Sequence, residues 1–368
     1  MAAIRKISIP AGTVLPNGNP LTDAMRSIIN NRKTSNGSVM ASVPTVETLE
    51  DLYSASLPAP ATTIDDFISG LQRKAEENAA EANKYLKPLG EKLVAMPTGS
   101  AFNNCNGKWT ENGYAVFAWN SLAKMNRDNR KTANGGSYKV YIYVKLPNRV
   151  SAEKDWTQLL DNGITSVLSK YPSARGNRVP ASSSNSGRRF ELISSNPDSV
   201  ILKFDNTVAD QLWQSAGITS IGLYTDISCI NAGIIKDLDS LFDIFKGKVL
   251  PSKNLQCFLS IKRSTRPDRR YQWVQEGDHV KTILQWIHVY SPTNSDMDPD
   301  LKYNDLNGKF FAVSLSEIST MDEEAMNTGL VGSVVSPSLD PVWAVDKIFE
   351  CRSFDRIDAQ LKEMLHFK

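Results

Sequence analysis

The sequence predicts an α/β fold, a mixed β-sheet flanked by helices, with an N-terminal extension ahead of it. Three observations carry the prediction. Tyr138–Leu146 (YKVYIYVKL) alternates β-branched and aromatic residues, the pattern of a strand. The apolar run Cys257–Ile261 gives way within a few residues to Pro267 and then to Val274, Val280, Ile283, Leu284 and Ile287, a helical spacing. Finally, strand and helix signals interleave along the chain with no internal repeat.

Taken in order, residues 1–62 are rich in Pro, Gly, Asn, Ser and Thr, with two short helical candidates at Leu21–Asn31 and Val46–Tyr53. They read as an extension or arm, ending in the linker Ala55–Thr63, and residues 63–368 as the main domain. Ile64–Leu86 carries Asp65 and Asp66 where a helix N-terminus favours acids, and Phe67, Ile68, Leu71 and Ala75 at helical spacing. Pro97–Trp109 reads as a Gly/Asn-rich loop, and Glu111–Lys124 as a core helix with Tyr114, Phe117, Ala118 and Leu122 on one side. Asn134-Gly135-Gly136 breaks the chain before the first strand.

Trp156–Ser169 reads as a helix and Ser173–Arg189 as a loop carrying four arginines. Ser195-Asn196-Pro197-Asp198 is a turn leading into the strand Val200–Leu202. Residues 207–247 read as mostly helical, with a strand near Ile221–Tyr224. Strands at Phe310–Leu315 and Val331–Val335 and helices at Pro341–Phe349 and Asp355–His366 complete the chain.

Composition narrows the classes. A chain of 368 residues buries a sizeable core without staples, and 41% hydrophobic with 22% charged residues is ordinary for a globular protein. The net charge is only +2, so any nucleic-acid surface must come from local clustering. Cys105, Cys229, Cys257 and Cys351 are scattered, which suits reduced thiols and speaks against a structural zinc. His279, His288 and His366 have no familiar ligand spacing. There is no GxSxG, GxGxxG or GxxxxGK[ST] motif. No apolar run reaches the length of a membrane span and the N-terminus lacks an apolar signal core, so no membrane partner and a cytoplasmic location are expected.

The chemistry concentrates between Cys257 and Val280. Lys262, Arg263, Arg266, Arg269 and Arg270 follow a strand, and Pro267 starts a helix at no hydrogen-bonding cost. Arg269 and Glu276 are seven apart and share a helix face. An Arg/Asp-bearing helix start suits a DNA major groove, where Arg reads guanine O6/N7 and Asp accepts from cytosine N4. Phosphodiester hydrolysis needs a nucleophilic water and neutralised charge, which a hard divalent ion on carboxylates can provide, with a lysine beside it. Asp198, Glu276 and Lys262 are the residues of those types in a suitable order. Read alone, the same residues also describe a turn, a solvated basic cluster and an amphipathic helix.

With these residues in view, the chain resembles the CCGG family of type II restriction endonucleases, within the PD-(D/E)XK nuclease superfamily. The likeness rests on Ser195-Asn196-Pro197-Asp198, on FLSIKRSTRPDRRYQWVQEG (Phe258–Gly277) and on FNNCNGKWTE (Phe102–Glu111), with weaker support from VKLPN (Val144–Asn148) and AVDKIF (Ala344–Phe349). It spans roughly Ile64 to the C-terminus, and implies a restriction-endonuclease-like core. It further implies that Asp198, Glu276 and Glu111 are catalytic and hold Mg²⁺, and that Lys262 orients or activates water. Arg266, Asp268 and Arg269 would read C:G pairs, while Arg263 and Arg270 would meet the DNA backbone. The superfamily's usual acid two residues before the lysine is replaced by Ser260, and the family's displaced glutamate matches Glu276. The expected activity is cleavage of double-stranded DNA at a palindromic site with a CCGG or CCNGG core, leaving 5′ overhangs, by a homodimer or a homotetramer. The alternative is a non-cleaving DNA-binding protein on the same scaffold.

Overall fold

The computed structural model describes residues 57–89, 100–147, 155–168, 197–290, 308–326, 330–331 and 342–367, together with short pieces at 12–14, 18, 33–35 and 38–40. The helical candidates at Leu21–Asn31 and Val46–Tyr53, the arginine-bearing loop and Ser195-Asn196 lie outside the described residues. The chain divides into two compact units: Met1–Val116 with Ile227–Lys236, and Phe117–Asp226 with Asp237–Lys368.

In the first unit, β1 (Lys33–Ser35) and β2 (Ser38–Met40) pair antiparallel. Helix α1 spans Ile64–Leu86, the expected range. Thr63 caps it by accepting the Asp66 N–H, and Asp65 and Asp66 sit in the first turn, where the backbone dipole favours negative charge. Its inner face buries Ile64, Phe67, Ile68 and Leu71.

Helix α2 runs from Ser100 to Ala133 and contributes residues to both units. This corrects the expected loop at Pro97–Trp109: from Ser100 onward the Gly/Asn-rich stretch is helical. Burial outweighs propensity there, because Asn106, Trp109, Thr110 and Asn112 are all buried. Beyond the helix, Asn134 and Gly135 adopt left-handed backbone (φ 46° and 88°), which releases the chain into the first strand of the main sheet.

That sheet lies in the second unit. Its strands are β3 (Lys139–Lys145), β4 (Ser199–Asp205), β5 (Leu255–Lys262), β6 (Lys309–Ser314) and β9 (Lys347–Glu350), in the order β3-β4-β5-β6-β9. The first three pair antiparallel, and the β5-β6 and β6-β9 pairs are parallel, so the sheet is mixed as expected. Strands β4, β5 and β6 are buried almost along their whole length, as strands covered on both faces must be. The edge strand β3 is sealed by α2: the Asn126 side chain donates to the Tyr141 carbonyl (2.9 Å) and accepts from the Tyr141 amide (2.8 Å), and Asn129 donates to the Lys139 carbonyl.

The expected helix at Trp156–Ser169 is broken into a 3₁₀ turn, Trp156–Leu159, and α3, Asn162–Leu168. Asp155 caps the turn through the Thr157 amide. Residues 206–245 hold α4 (Asn206–Ala216) and α5 (Ala232–Phe245); near Ile221–Tyr224 only an isolated Gly222–Thr225 bridge forms. Helix α6 (Pro267–Tyr290) crosses over from β5 to the parallel β6. It is followed by α7 (Thr320–Met326), the short pair β7 (Leu330–Val331) and β8 (Val342–Trp343), and, after β9, α8 (Arg356–Leu365).

Within the helix expected at Pro341–Phe349, the described residues hold two strand pieces instead, Val342–Trp343 and the start of Lys347–Glu350. Asp346 explains why: its carboxylate accepts the Phe310 amide at 2.7 Å and its own amide donates to the Phe310 carbonyl. The segment is thereby paired to the start of β6, and Phe349 turns inward against Phe311.

Candidate active site

Sheet register brings the first two residues together. Because β4 runs antiparallel to β5, with Ser199 opposite Leu259, the residue before β4 falls beside the C-terminal end of β5. Asp198 is that residue. Its carbonyl accepts the Leu146 amide at 3.0 Å, which ties the turn to the end of β3. Its Oδ2 accepts the Ile261 amide and the Lys262 ammonium, the latter at 3.0 Å. Lys262 is the last residue of β5, and its side chain is only 9% exposed.

Helix α6 supplies the third member. Trp273 is fully buried and its Nε1 donates to the Ser260 carbonyl at 3.0 Å, pinning the helix to β5 one residue away from the Asp198 partner Ile261. One turn later Gly277 lies so close to the Ala344 backbone that a Cβ there would sit 2.1 Å from the Ala344 carbonyl oxygen. Only a glycine permits this depth. The result is that Glu276, with a side chain 0% exposed, places Oε1 3.7 Å from Lys262 Nζ. On the far side, Lys281 pairs with Asp346 at 2.8 Å and donates to the Trp343 carbonyl, so the same face of α6 is fixed at a second point one turn on.

Asp198, Lys262 and Glu276 thus converge, as the sequence order implied. Burial pushes the Glu276 carboxyl above the ordinary range, and the negative charge of Asp198 adds to this. The Lys262 ammonium, the Ser260 hydroxyl and Gln272 act in the opposite direction without cancelling it. A buried carboxylate in this condition is relieved by further positive charge.

Two carboxylates and a serine hydroxyl form an all-oxygen set. Among the described residues no cluster of three or more His, Cys, Asp or Glu side chains is assembled. That set fits a small, hard divalent cation, which keeps several of its own waters and needs one or two protein carboxylates; it does not fit zinc, which prefers nitrogen and sulfur. Glu111 lies half-buried on α2 within the first unit, while the other three lie in the second.

The basic cluster stands at the start of α6, next to this trio. Arg266 and Asp268 are open to solvent, with side chains 66% and 63% exposed, and Arg269 is 41% exposed. Asp268 lies between the two arginines, 3.7 Å from each Nε, and aligns them. Arg270 is held differently: its guanidinium lies 3.1 Å from Asp322 Oδ1. Burial works against a charge at Asp322, but hydrogen bonds from the Ser319 hydroxyl and amide, and then the Arg270 charge, hold its carboxyl below the usual range.

Sequence reasoning missed Gln272. Its Oε1 accepts from Arg269 at 3.0 Å and its Nε2 donates to Glu276 Oε1 at 2.8 Å. The signal was present, since Gln272 sits three residues after Arg269 and four before Glu276, on the face those two share. Asp322 was missed because it lies 52 positions beyond Arg270 in the chain.

The family model for Cfr10I/Bse634I restriction endonucleases matches residues 60–366. The chain belongs to the Cfr10I/Bse634I restriction endonuclease family. It is therefore an enzyme, a site-specific deoxyribonuclease, and the resemblance drawn from the motifs is borne out. The chain is 24% identical over 314 residues to the type II restriction enzyme Cfr10I of Citrobacter freundii, covering 85% of this chain and 91% of that enzyme. Its fold matches a crystal structure of the type IIF restriction endonuclease Bse634I with cognate DNA, at a TM-score of 0.66 and 23% identity, over 94% of this chain and all of that one. A second Bse634I structure matches at a TM-score of 0.64 and 23% identity, over 94% of this chain and 99% of that one. Restriction endonucleases of this family generally use a divalent metal, in keeping with the oxygen donors gathered here. No helix among the described residues is long and apolar enough to cross a membrane.

Proposed function

We propose that this chain is a Mg²⁺-dependent endonuclease that cuts double-stranded DNA at a palindromic site with a CCGG or CCNGG core, leaving 5′ overhangs. The observation that carries the reading is the convergence of Asp198, Lys262 and Glu276 at the end of β5, immediately before an exposed Arg266-Pro267-Asp268-Arg269 helix start. Asp198 and Glu276 would hold the metal, and the family resemblance adds Glu111 as a further acid. When bound, the cation neutralises charge developing on the phosphate and makes a water more acidic. Lys262 donates a hydrogen bond that orients the attacking water beside the scissile phosphate. The water oxygen bonds to phosphorus as the P–O3′ bond breaks, the water's proton leaves to solvent, the departing O3′ takes a proton from a solvent water, and 5′-phosphate and 3′-hydroxyl ends result.

Arg266 and Arg269 read guanine edges, and Asp268 accepts from cytosine while aligning both arginines. Arg263 and Arg270 meet phosphates, which fix register without specifying sequence. The Bse634I fold was solved with cognate DNA, which supports the same partner here. A palindrome calls for a two-fold symmetric assembly with one active site per strand, so the working form is a homodimer or a homotetramer of two such dimers. Residues 1–62 form an arm added to the catalytic and recognition domain of residues 63–368, and the enzyme works in the cytoplasm.

The test is digestion of a sequenced plasmid with Mg²⁺, followed by end sequencing, with Lys262→Ala as control. Discrete fragments with one 5′-overhang sequence, absent with the variant, are expected. Specific binding without cutting across several divalent metals would overturn cleavage in favour of a DNA-binding protein.

A further inference from the structure

The reading groups and the cutting groups are joined by a chain of three hydrogen bonds and one ion pair. Arg269 donates to Gln272 (3.0 Å), Gln272 donates to Glu276 Oε1 (2.8 Å), that same oxygen faces Lys262 (3.7 Å), and Lys262 donates to Asp198 (3.0 Å). Gln272 has both ends of its amide engaged, and each end faces a residue of different duty. We propose that Gln272 is the positioning residue that couples sequence recognition to the metal-binding carboxylate. It holds Glu276 Oε1 while Arg269 holds its own carbonyl end, and lets go once a guanine takes Arg269. This rests on the assignment of Arg269 to base reading and of Glu276 to metal.

The physical argument is one of competition. A guanidinium bound to guanine O6/N7 presents its donors in a fixed fork and withdraws them from an intramolecular acceptor. The Gln272 carbonyl then loses its anchor, and the amide can turn toward solvent, since this side chain is only half-buried. Glu276 Oε1 loses a donor that a cation would otherwise have to displace. Without the right base, displacing that donor opposes cation binding. With it, the opposition is gone. Couplings of this kind between two sites typically amount to about 5- to 150-fold.

The test needs no cleavage. Mn²⁺ is titrated calorimetrically into the DNA-free full-length protein, comparing wild type with Gln272→Leu and Gln272→Met, neither of which can bond Glu276. A third variant, Gln272→Glu, keeps an acceptor for Arg269 but has no donor for Glu276. The Leu and Met variants are expected to bind Mn²⁺ about 10-fold more tightly than wild type. Adding a duplex with the cognate core, made with non-hydrolysable linkages at the scissile positions, should tighten wild type by about the same factor and leave these variants nearly unchanged. Gln272→Glu is expected to lose the DNA dependence as well. Equal Mn²⁺ affinity in wild type and both apolar variants, with melting temperatures matched, would overturn the coupling. So would a DNA-induced tightening that survives in the variants. If wild type cuts no DNA yet the variants bind Mn²⁺ more tightly, the nuclease reading fails while the hold of Gln272 on Glu276 stands.

Discussion

His279 follows Glu276 by three residues and is buried, with its Nε2 lacking a hydrogen-bond partner among the described residues. Burial drives its pKa below the ordinary histidine value, and the charge of nearby Asp155 offsets only part of that. The folded protein therefore keeps this imidazole neutral where the unfolded chain binds a proton. Stability on this account is present above about pH 6.5, the unfolded value, and is lost as pH falls toward the folded one, by at most about 1.4 kcal/mol per pH unit. The melting temperature of His279→Leu, measured from pH 7.5 down to 5, should fall less steeply than that of wild type; parallel curves would refute the assignment. At Gly277, an alanine Cβ would meet the Ala344 carbonyl, which is backbone and cannot turn aside. Gly277→Ala should cost about 1–3 kcal/mol, read by denaturant unfolding, and should weaken cleavage further by pushing Glu276 off Lys262. Among single residues, the meeting of Asp198, Lys262 and Glu276 was foreshadowed by their types and order together with the family resemblance, since read alone the same residues also describe a turn, a basic cluster and a helix. Gln272 and Asp322 were not, since a glutamine on a helix and an aspartate near a distant turn declare themselves only through their partners.

Elements were read from periodicity, and they succeeded where local pattern and burial agree. Ile64–Leu86, β3, β5 and the helix from Pro267 all emerged where expected, the first three on their apolar pattern and the last on its Pro267 start and the spacing of Val280, Ile283, Leu284 and Ile287. The failures share one cause. Ser100–Trp109 looked like a loop by its Asn and Gly content but is helical, with Asn106 and Trp109 buried. Pro341–Phe349 looked helical but is drawn into sheet pairing by Asp346 and the edge of β6. In both, tertiary context rather than local pattern decides the outcome: burial at Asn106 and Trp109, and the pairing of Asp346 with Phe310. Asn126 illustrates the same dependence usefully, since one side chain satisfies both the amide and the carbonyl of Tyr141 on an edge strand. Asn126→Leu should leave those groups without their bonds and cost about 1–3 kcal/mol for each group that stays buried. It should also raise aggregation on heating, followed by light scattering, as an uncovered strand edge becomes available.

At the scale of the molecule, a net charge of +2 conceals a local basic field at the head of α6. Binding to the cognate duplex should therefore weaken steeply with salt. Arg270→Met should reduce the slope of log K against log salt by about one phosphate contact, whereas Arg266→Ala or Arg269→Ala should cost about 1–3 kcal/mol at the cognate site and relax discrimination. An unchanged slope for Arg270→Met would mean that the Asp322 pair is its only role. Asp198→Asn should abolish cleavage while keeping specific binding, measured by gel shift with Ca²⁺ in place of Mg²⁺. The class of the whole fold was legible because interleaved strands and helices permit few arrangements. The division into two units was not, since Ile227–Lys236 joins the first unit from far along the chain. A single helix bears Arg269, Gln272 and Glu276. A nuclease shares its cell with a genome full of near-matches to its target. With Arg269 reading and Glu276 holding metal as proposed, both duties ride on one helix, so a mutation that shifts the reading also displaces the blade, and most such errors would end in a silent enzyme rather than a broken chromosome.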